Sequence, residues 1–121
     1  MRLHEPSVFE AAVLQWIAAQ AQDEALGAQV ASVAIAERAY TVVGCYSKLI
    51  VAENAPLSTA TYSRHGPLDG PCFESKVVEL DGGTLLWFKA GRADCLEIYA
   101  YGNYFPADHA ELGDFKLLSD S

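Results

Sequence analysis

The stretch from Asp81 to Tyr101, DGGTLLWFKAGRADCLEIYAY, constrains the fold more than any other part of the chain. It reads as two strands joined by a tight turn at Ala90-Gly91. Asp81-Gly82 marks a second hairpin turn, since both central residues of such turns accept positive φ. Pairing outward from Ala90-Gly91 sets Lys89 opposite Arg92, Trp87 opposite Asp94, Leu85 opposite Leu96 and Thr84 opposite Glu97. Side chains alternate across a pleat. One face then carries Leu85, Trp87, Leu96 and Ile98; the other carries Leu86, Phe88, Cys95, Glu97, Tyr99 and Tyr101. Neither set has the composition of a solvent face. An antiparallel sheet ordinarily buries one face and wets the other. Two apolar faces ask for two covers, a helix on one and a loop or second subunit on the other, so the expectation is a homodimer or a covered cleft.

Glu97 is the residue in this run that most needs a partner. Desolvating a lone carboxylate is costly, so it must be neutralised or shift its pKa. In the pairing above Tyr99, Tyr101 and Thr84 share its face and can donate hydrogen bonds. Arg38, at a strand boundary, is the expected ionic partner. Two readings stay open: a structural Glu97 paired with Arg38 or hydroxyls, or an anion lining a pocket for a cationic or hydroxylated ligand.

Upstream, Ser7 and Glu10 form a capping-box pair behind Pro6. Phe9, Val13, Trp16, Ile17 and Gln20 then recur at helical spacing, which predicts a helix ending near Gln22. Leu26-Gly27 reads as a turn or a short helical end. Residues 30–36 fit helix or strand, and Val33 and Ile35 tip them toward strand. Glu37-Arg38-Ala39 reads as a link to a firmer strand over 40–51, rich in β-branched and aromatic residues, in which Gly44 suggests a bulge or close backbone approach. Residues 53–70 read as a long loop, of a length that is usually functional or poorly ordered. A strand over 72–80 follows. Beyond Pro106, a helical turn over 107–113 and a short edge strand over 114–118 complete the pattern.

Length fits one domain spanning residues 1–121, and an apolar fraction of 51% supports a packed core. The chain carries sixteen acids against eight bases, a net charge of −8. Such a protein repels phosphate backbones, so no nucleic-acid partner is expected. From Asp94 onward Lys116 is the single Lys or Arg, and this acidic end, beside Tyr99, Tyr101, Tyr104 and Phe105, suits a basic protein partner. No apolar run reaches the ~18 residues of a membrane-spanning helix, and Met1 to Pro6 lacks the order of a signal peptide. A cytoplasmic protein with no membrane partner is expected. Cys45, Cys72 and Cys95 are odd in number and form no C-x-x-C pair, which argues against disulfides and structural zinc. His4, His65 and His109 lack metal-ligand spacing, so no metal or other cofactor is expected. No G-x-S-x-G, H-E-x-x-H or phosphate loop is present.

Arg38-Ala39-Tyr40-Thr41-Val42-Val43-Gly44, following Gln29-Val30, resembles an R-x-x-T-x-x-G pattern. Gly83 to Arg92 resembles a G-x-x-L-x-F-x-x-G-R segment, and Leu96-Glu97-Ile98-Tyr99-Ala100-Tyr101-Gly102 an L-E-x-Y-x-Y-G run. Together these resemble a family of short bacterial proteins without assigned function, some of which accompany toxin systems. Cys45 stands where that pattern has an aromatic. The resemblance implies no enzyme activity and no catalytic residue. It groups Arg38, Thr41 and Glu97 as matching positions.

The fold expected is α+β: an N-terminal helix packed on a twisted, mainly antiparallel sheet of about five or six strands. Three functions are compatible: a non-enzymatic, immunity-like protein acting by protein–protein contact; a small-ligand module with Glu97 and Tyr99 in a cleft; and a small hydrolase or isomerase using Glu97 as base. The first ranks highest.

Overall fold

The computed structural model describes residues 2–102 and 104–119. Helix α1 (Val8–Ala21) begins as the capping box requires: the Ser7 hydroxyl accepts the Glu10 amide at 3.0 Å, and the Ser7 amide donates to Glu10 Oε1 at 2.8 Å. A second helix, α2 (Glu24–Ala31), follows at once. Its cap is Asp23, whose Oδ1 accepts the amides of Ala25 and Leu26. Leu26-Gly27 therefore lies inside a helix rather than at a turn; the strong cap and the alanines around it outweigh the glycine.

The chain then forms β1 (Ala34–Tyr40) and β2 (Gly44–Ile50). Glu37, Arg38 and Ala39 belong to β1, and the reversal falls at residues 41–43. After a short helix α3 (Tyr62–His65) come β3 (Leu68–Asp69), β4 (Cys72–Ser75), β5 (Leu80–Lys89) and β6 (Arg92–Ala100). A 3₁₀ turn (His109–Leu112) and β7 (Phe115–Leu118) close the fold. All seven strands form one antiparallel sheet in the order β1-β2-β6-β5-β4-β7, with β3 paired to β5. The architecture is α+β, as expected.

Two irregularities decide which side chains share a face. Trp87 pairs with Cys95 but Phe88 pairs with Ala93, so Asp94 is an extra residue on β6. This bulge shifts the register by one beyond Asp94: Leu85, not Thr84, stands opposite Glu97. The two faces expected from strict alternation are recombined. Thr84, Leu86, Leu96 and Ile98 are buried together, whereas Leu85, Trp87, Cys95, Glu97 and Tyr99 share the other face. The hairpin is thus apolar on its inner side and mixed on its outer side. The second irregularity is a register shift in β1 between Ile35 and Glu37. It places Ile35 and Arg38, three apart, on the same inner side.

Asp81-Gly82 is not a turn. The reversal before β5 lies at residues 76–79, where Glu79 takes φ 51°. Gly82 instead serves close packing: a Cβ there would fall 2.0 Å from the Tyr99 carbonyl oxygen and 2.8 Å from the Phe73 ring. The turn at Ala90-Gly91 does form, with φ 52° and 80°.

The core lies between the helices and the inner face. Phe9, Val13, Leu14 and Ile17 of α1 and Leu26 of α2 meet Ile35, Leu49, Phe73, Leu86, Leu96 and Ile98. The expected 53–70 loop contains α3 and β3, and Pro56, Ser58 and Tyr62 tie it to α2 and its cap. The buried Gln29 amide donates to the carbonyls of Pro56 and Gly91 at 2.8 and 2.9 Å, and its oxygen accepts the Ala93 amide at 2.8 Å. Asp23 accepts from Ser58 Oγ at 2.7 Å and from the Tyr62 hydroxyl.

Candidate functional site

The fully buried carboxylate is Glu10, not Glu97. Glu10 has no exposed surface. Arg38 grips it with a two-pronged hydrogen bond, Nη2 to Oε1 at 2.6 Å and Nε to Oε2 at 3.0 Å, and the Ser47 hydroxyl also donates to Oε2. Burial alone raises the Glu10 pKa, but the bonds from Arg38, Ser47 and the Ser7 amide outweigh it and hold the pKa at about 2. The expectation that Arg38 pairs with Glu97 is therefore corrected. The β1 irregularity turns Arg38 toward the helices, away from the face that carries Glu97.

His109 joins this network from the far end of the chain. Its Nδ1 lies 2.8 Å from Ser7 Oγ, its Nε2 3.3 Å from the Tyr40 hydroxyl, and Glu10 Oε2 is 3.9 Å away. Burial pushes the imidazole below its usual range despite the pull of Glu10. A cavity of about 590 Å³ opens beside the network, walled by Ser7, Phe9, Arg38, Tyr40, His109 and Phe115.

Glu97 stands on the outer face, only partly sheltered. Trp87 Nε1 donates to its Oε1 at 2.9 Å, and the hydroxyl of Tyr46, its cross-strand neighbour on β2, donates to Oε2 at 3.4 Å. Among the described residues no cation lies within ion-pair distance of Glu97. Lys48, on the same side of β2, is bonded to Asp94 instead. The Glu97 charge raises the Tyr46 pKa. Burial, with the Asp94 charge behind it, pushes the neighbouring Cys95 thiol up to about 11.

The other expected site residues do not converge on Glu97 as one unit. Tyr99 lays its ring over Gly83, its partner on β5, where a Cβ would fall 2.4 Å from the Tyr99 hydroxyl. Tyr99 and Tyr101 pack ring to ring at 5.7 Å, and Tyr101 is half exposed, its hydroxyl 3.7 Å from Cys72 Sγ. Thr41 is exposed in the β1–β2 reversal, its amide bonded to the Gly44 carbonyl at 2.9 Å. Thr84, expected to donate to Glu97, is buried on the opposite face and donates to the Pro71 carbonyl at 2.8 Å. Glu97, Tyr99 and Tyr101 thus share the outer face, while Arg38 lies beneath the sheet and Thr41 at its rim.

Among the described residues no group of three or more His, Cys, Asp or Glu is placed to hold a metal ion, and no helix is long and apolar enough to cross a membrane. Comparison with protein-family models, with curated proteins and with solved structures finds no match. Assignment of a role therefore rests on the chain's own geometry. Sequence reasoning missed Glu10, Ser47, His109, Tyr46 and Trp87 as site residues. A signal existed for the first: Glu10, Leu14 and Ile17 fall on one helical face.

Proposed function

We propose that this is a non-enzymatic binding protein that acts by protein–protein contact through the outer sheet face, as an immunity protein occupies a toxin. The supporting observation is a β-surface whose large aromatic side chains stand exposed on the side away from the described helices. Tyr46, Trp87 and Tyr101 are 43%, 40% and 51% exposed. Tyr and Trp are the residues that most often anchor protein interfaces. The net charge of −8 favours a basic partner, whose capture it accelerates.

The test is affinity capture from the native cell with wild type and with a Trp87→Ala/Tyr101→Ala variant. One basic protein, held in stoichiometric amount by wild type and at least ~30-fold more weakly by the variant, is expected if these rings are anchors. Capture that ignores both substitutions overturns the assignment. Gene neighbourhoods of close relatives that lack any toxin gene would count against the immunity part alone.

A small-ligand role is the second reading, and one observation favours it: the cavity beside His109. Its place differs from the cleft expected around Glu97 and Tyr99, neither of which lines it. This cavity gives no support to Glu97 as a general base, because Glu97 is not part of its wall.

A further inference from the structure

We infer that Glu97, Trp87 and Tyr46 form a receptor for a single arginine side chain presented by the partner protein. The inference rests on the outer face being the contact surface and names what that face reads.

Three features of the geometry carry it. First, the carboxylate is oriented by its neighbours: Trp87 Nε1 donates to one oxygen at 2.9 Å, and the Tyr46 hydroxyl makes a longer contact to the other at 3.4 Å. Both donors are neutral, so the negative charge stays uncompensated. A carboxylate has about four lone-pair positions. Two are taken, one on each oxygen, which leaves one on each for an incoming pair of N–H groups. A guanidinium supplies such a pair in a planar fork. Second, the base on the same side of β2, Lys48, is drawn to Asp94 rather than to Glu97. Third, the rings that hold the carboxylate are themselves 40% and 43% exposed. A delocalised, weakly hydrated cation stacks on such rings while it pairs with the acid, and a compact ammonium does so less well. The residues reach this arrangement through the β6 bulge, which brings Trp87 and Glu97 onto one side of the hairpin.

The test needs no partner protein. The chain has two tryptophans, Trp16 on α1 and Trp87 on β5. Their indole N–H signals in a ¹⁵N-labelled sample are told apart with Trp87→Phe. The sample is titrated with N-acetylarginine amide, N-acetyllysine amide and N-acetylcitrulline amide. The Trp87 signal is expected to move saturably with the arginine compound, at several-fold lower concentration than with the lysine one. It should not respond to citrulline, which has nearly the same shape without the charge. Trp16 is expected to stay still. Glu97→Gln should abolish the response while the rest of its spectrum shows the fold intact. No saturable shift, an equal shift with citrulline, or an undiminished shift in Glu97→Gln each overturns the inference. The two proposals fail separately. Capture that needs Trp87 and Tyr101 but ignores Glu97→Gln removes the arginine receptor and keeps the contact surface. Saturable arginine binding on a face that captures no protein removes the contact reading, and with it the partner that would present the side chain, and keeps only the guanidinium site itself.

Discussion

Two glutamates of the same chemistry have opposite duties, and their surroundings decide which is which. Glu10→Gln leaves the Arg38 charge without its counter-ion beneath the sheet, where removing one member of a buried pair costs about 3 kcal/mol. For a domain this size that corresponds to a fall of roughly 10 °C in melting temperature. Glu97→Gln keeps an amide oxygen for Trp87 or Tyr46 at a partly exposed site, so its effect should stay within ~0.5 kcal/mol. Paired thermal melts at neutral pH check both, and a larger loss in Glu97→Gln would reverse the assignment of duties. Acid should destabilise the fold in two stages. Burial lowers His109 below its unfolded value of 6.5, so the unfolded chain binds the proton first. His109 therefore contributes stability that is complete above pH 6.5 and is lost as pH falls through its depressed folded value. Glu10 drops from 4.5 to about 2, so its contribution is complete above pH 4.5 and is lost as pH falls toward 2. That second stage is worth about 3 kcal/mol. Melting temperature followed from pH 8 to pH 2 should show both declines, and His109→Gln should remove only the upper one. The local capping chemistry of Glu10 was legible in the sequence, because a capping box is a pattern of neighbours. Its burial was not, because Arg38, Ser47 and His109 reach it from 28, 37 and 99 residues away.

At the scale of elements, the local signals that succeeded were those a single segment can satisfy by itself. The α1 cap, the Ala90-Gly91 turn, the helical turn before Gly113 and the β7 edge strand were all readable. The failures came where glycine had two physical uses. The sequence marks Gly82 as a turn residue, but it is a strand residue whose missing side chain admits the Tyr99 carbonyl. Leu26-Gly27 reads as a turn or a short helical end, but Gly27 sits within α2, and a Cβ there meets nothing within 4 Å. Gly27→Ala should therefore stabilise the protein by about 0.5–1 kcal/mol, the helical gain of alanine over glycine. Gly44 suggests a bulge or a close approach, and the structure shows the close approach without a register shift there. A Cβ at Gly44 would lie 2.1 Å from the Ile98 carbonyl oxygen, a backbone atom that cannot swing aside. Gly44→Ala should cost about 1–3 kcal/mol and weaken the β2–β6 pairing. Chemical denaturation of the two variants separates them by sign, and amide exchange across β2 should quicken only for Gly44→Ala. The register shifts were beyond reach of a sequence pattern. A bulge conserves the local alternation on either side of itself and changes only which residues meet across strands. Strict alternation therefore gave Glu97 the wrong neighbours while placing it correctly on β6.

For the whole molecule, the question is what meets the outer sheet face. An antiparallel sheet with one wet face is a complete fold, so the second cover that strict alternation demands is not a structural necessity. The homodimer expected on that ground competes with a basic partner for the same surface, and electrostatics separates the two. A two-fold contact between identical chains brings the same patch from each side. It would bury two copies of Glu97, each held by neutral ring donors, and an ion removed from water without a counter-ion is costly. Each chain also carries a net charge of −8, so approach is repulsive at low salt. Light scattering at low ionic strength should therefore give the 13.1 kDa monomer mass. Salt shrinks the screening distance to about 8 Å near physiological strength, which relaxes the repulsion between chains but leaves the desolvation of Glu97 untouched. The monomer should thus persist as salt rises. If repulsion alone kept the chains apart, a species of twice that mass would grow in with salt. If the outer faces were self-complementary, it would be present from the start and Trp87→Ala would dissolve it. Either result would mean that the acid at the centre of this face is not the barrier to self-association, and a foreign cation would no longer be needed to explain its unpaired charge.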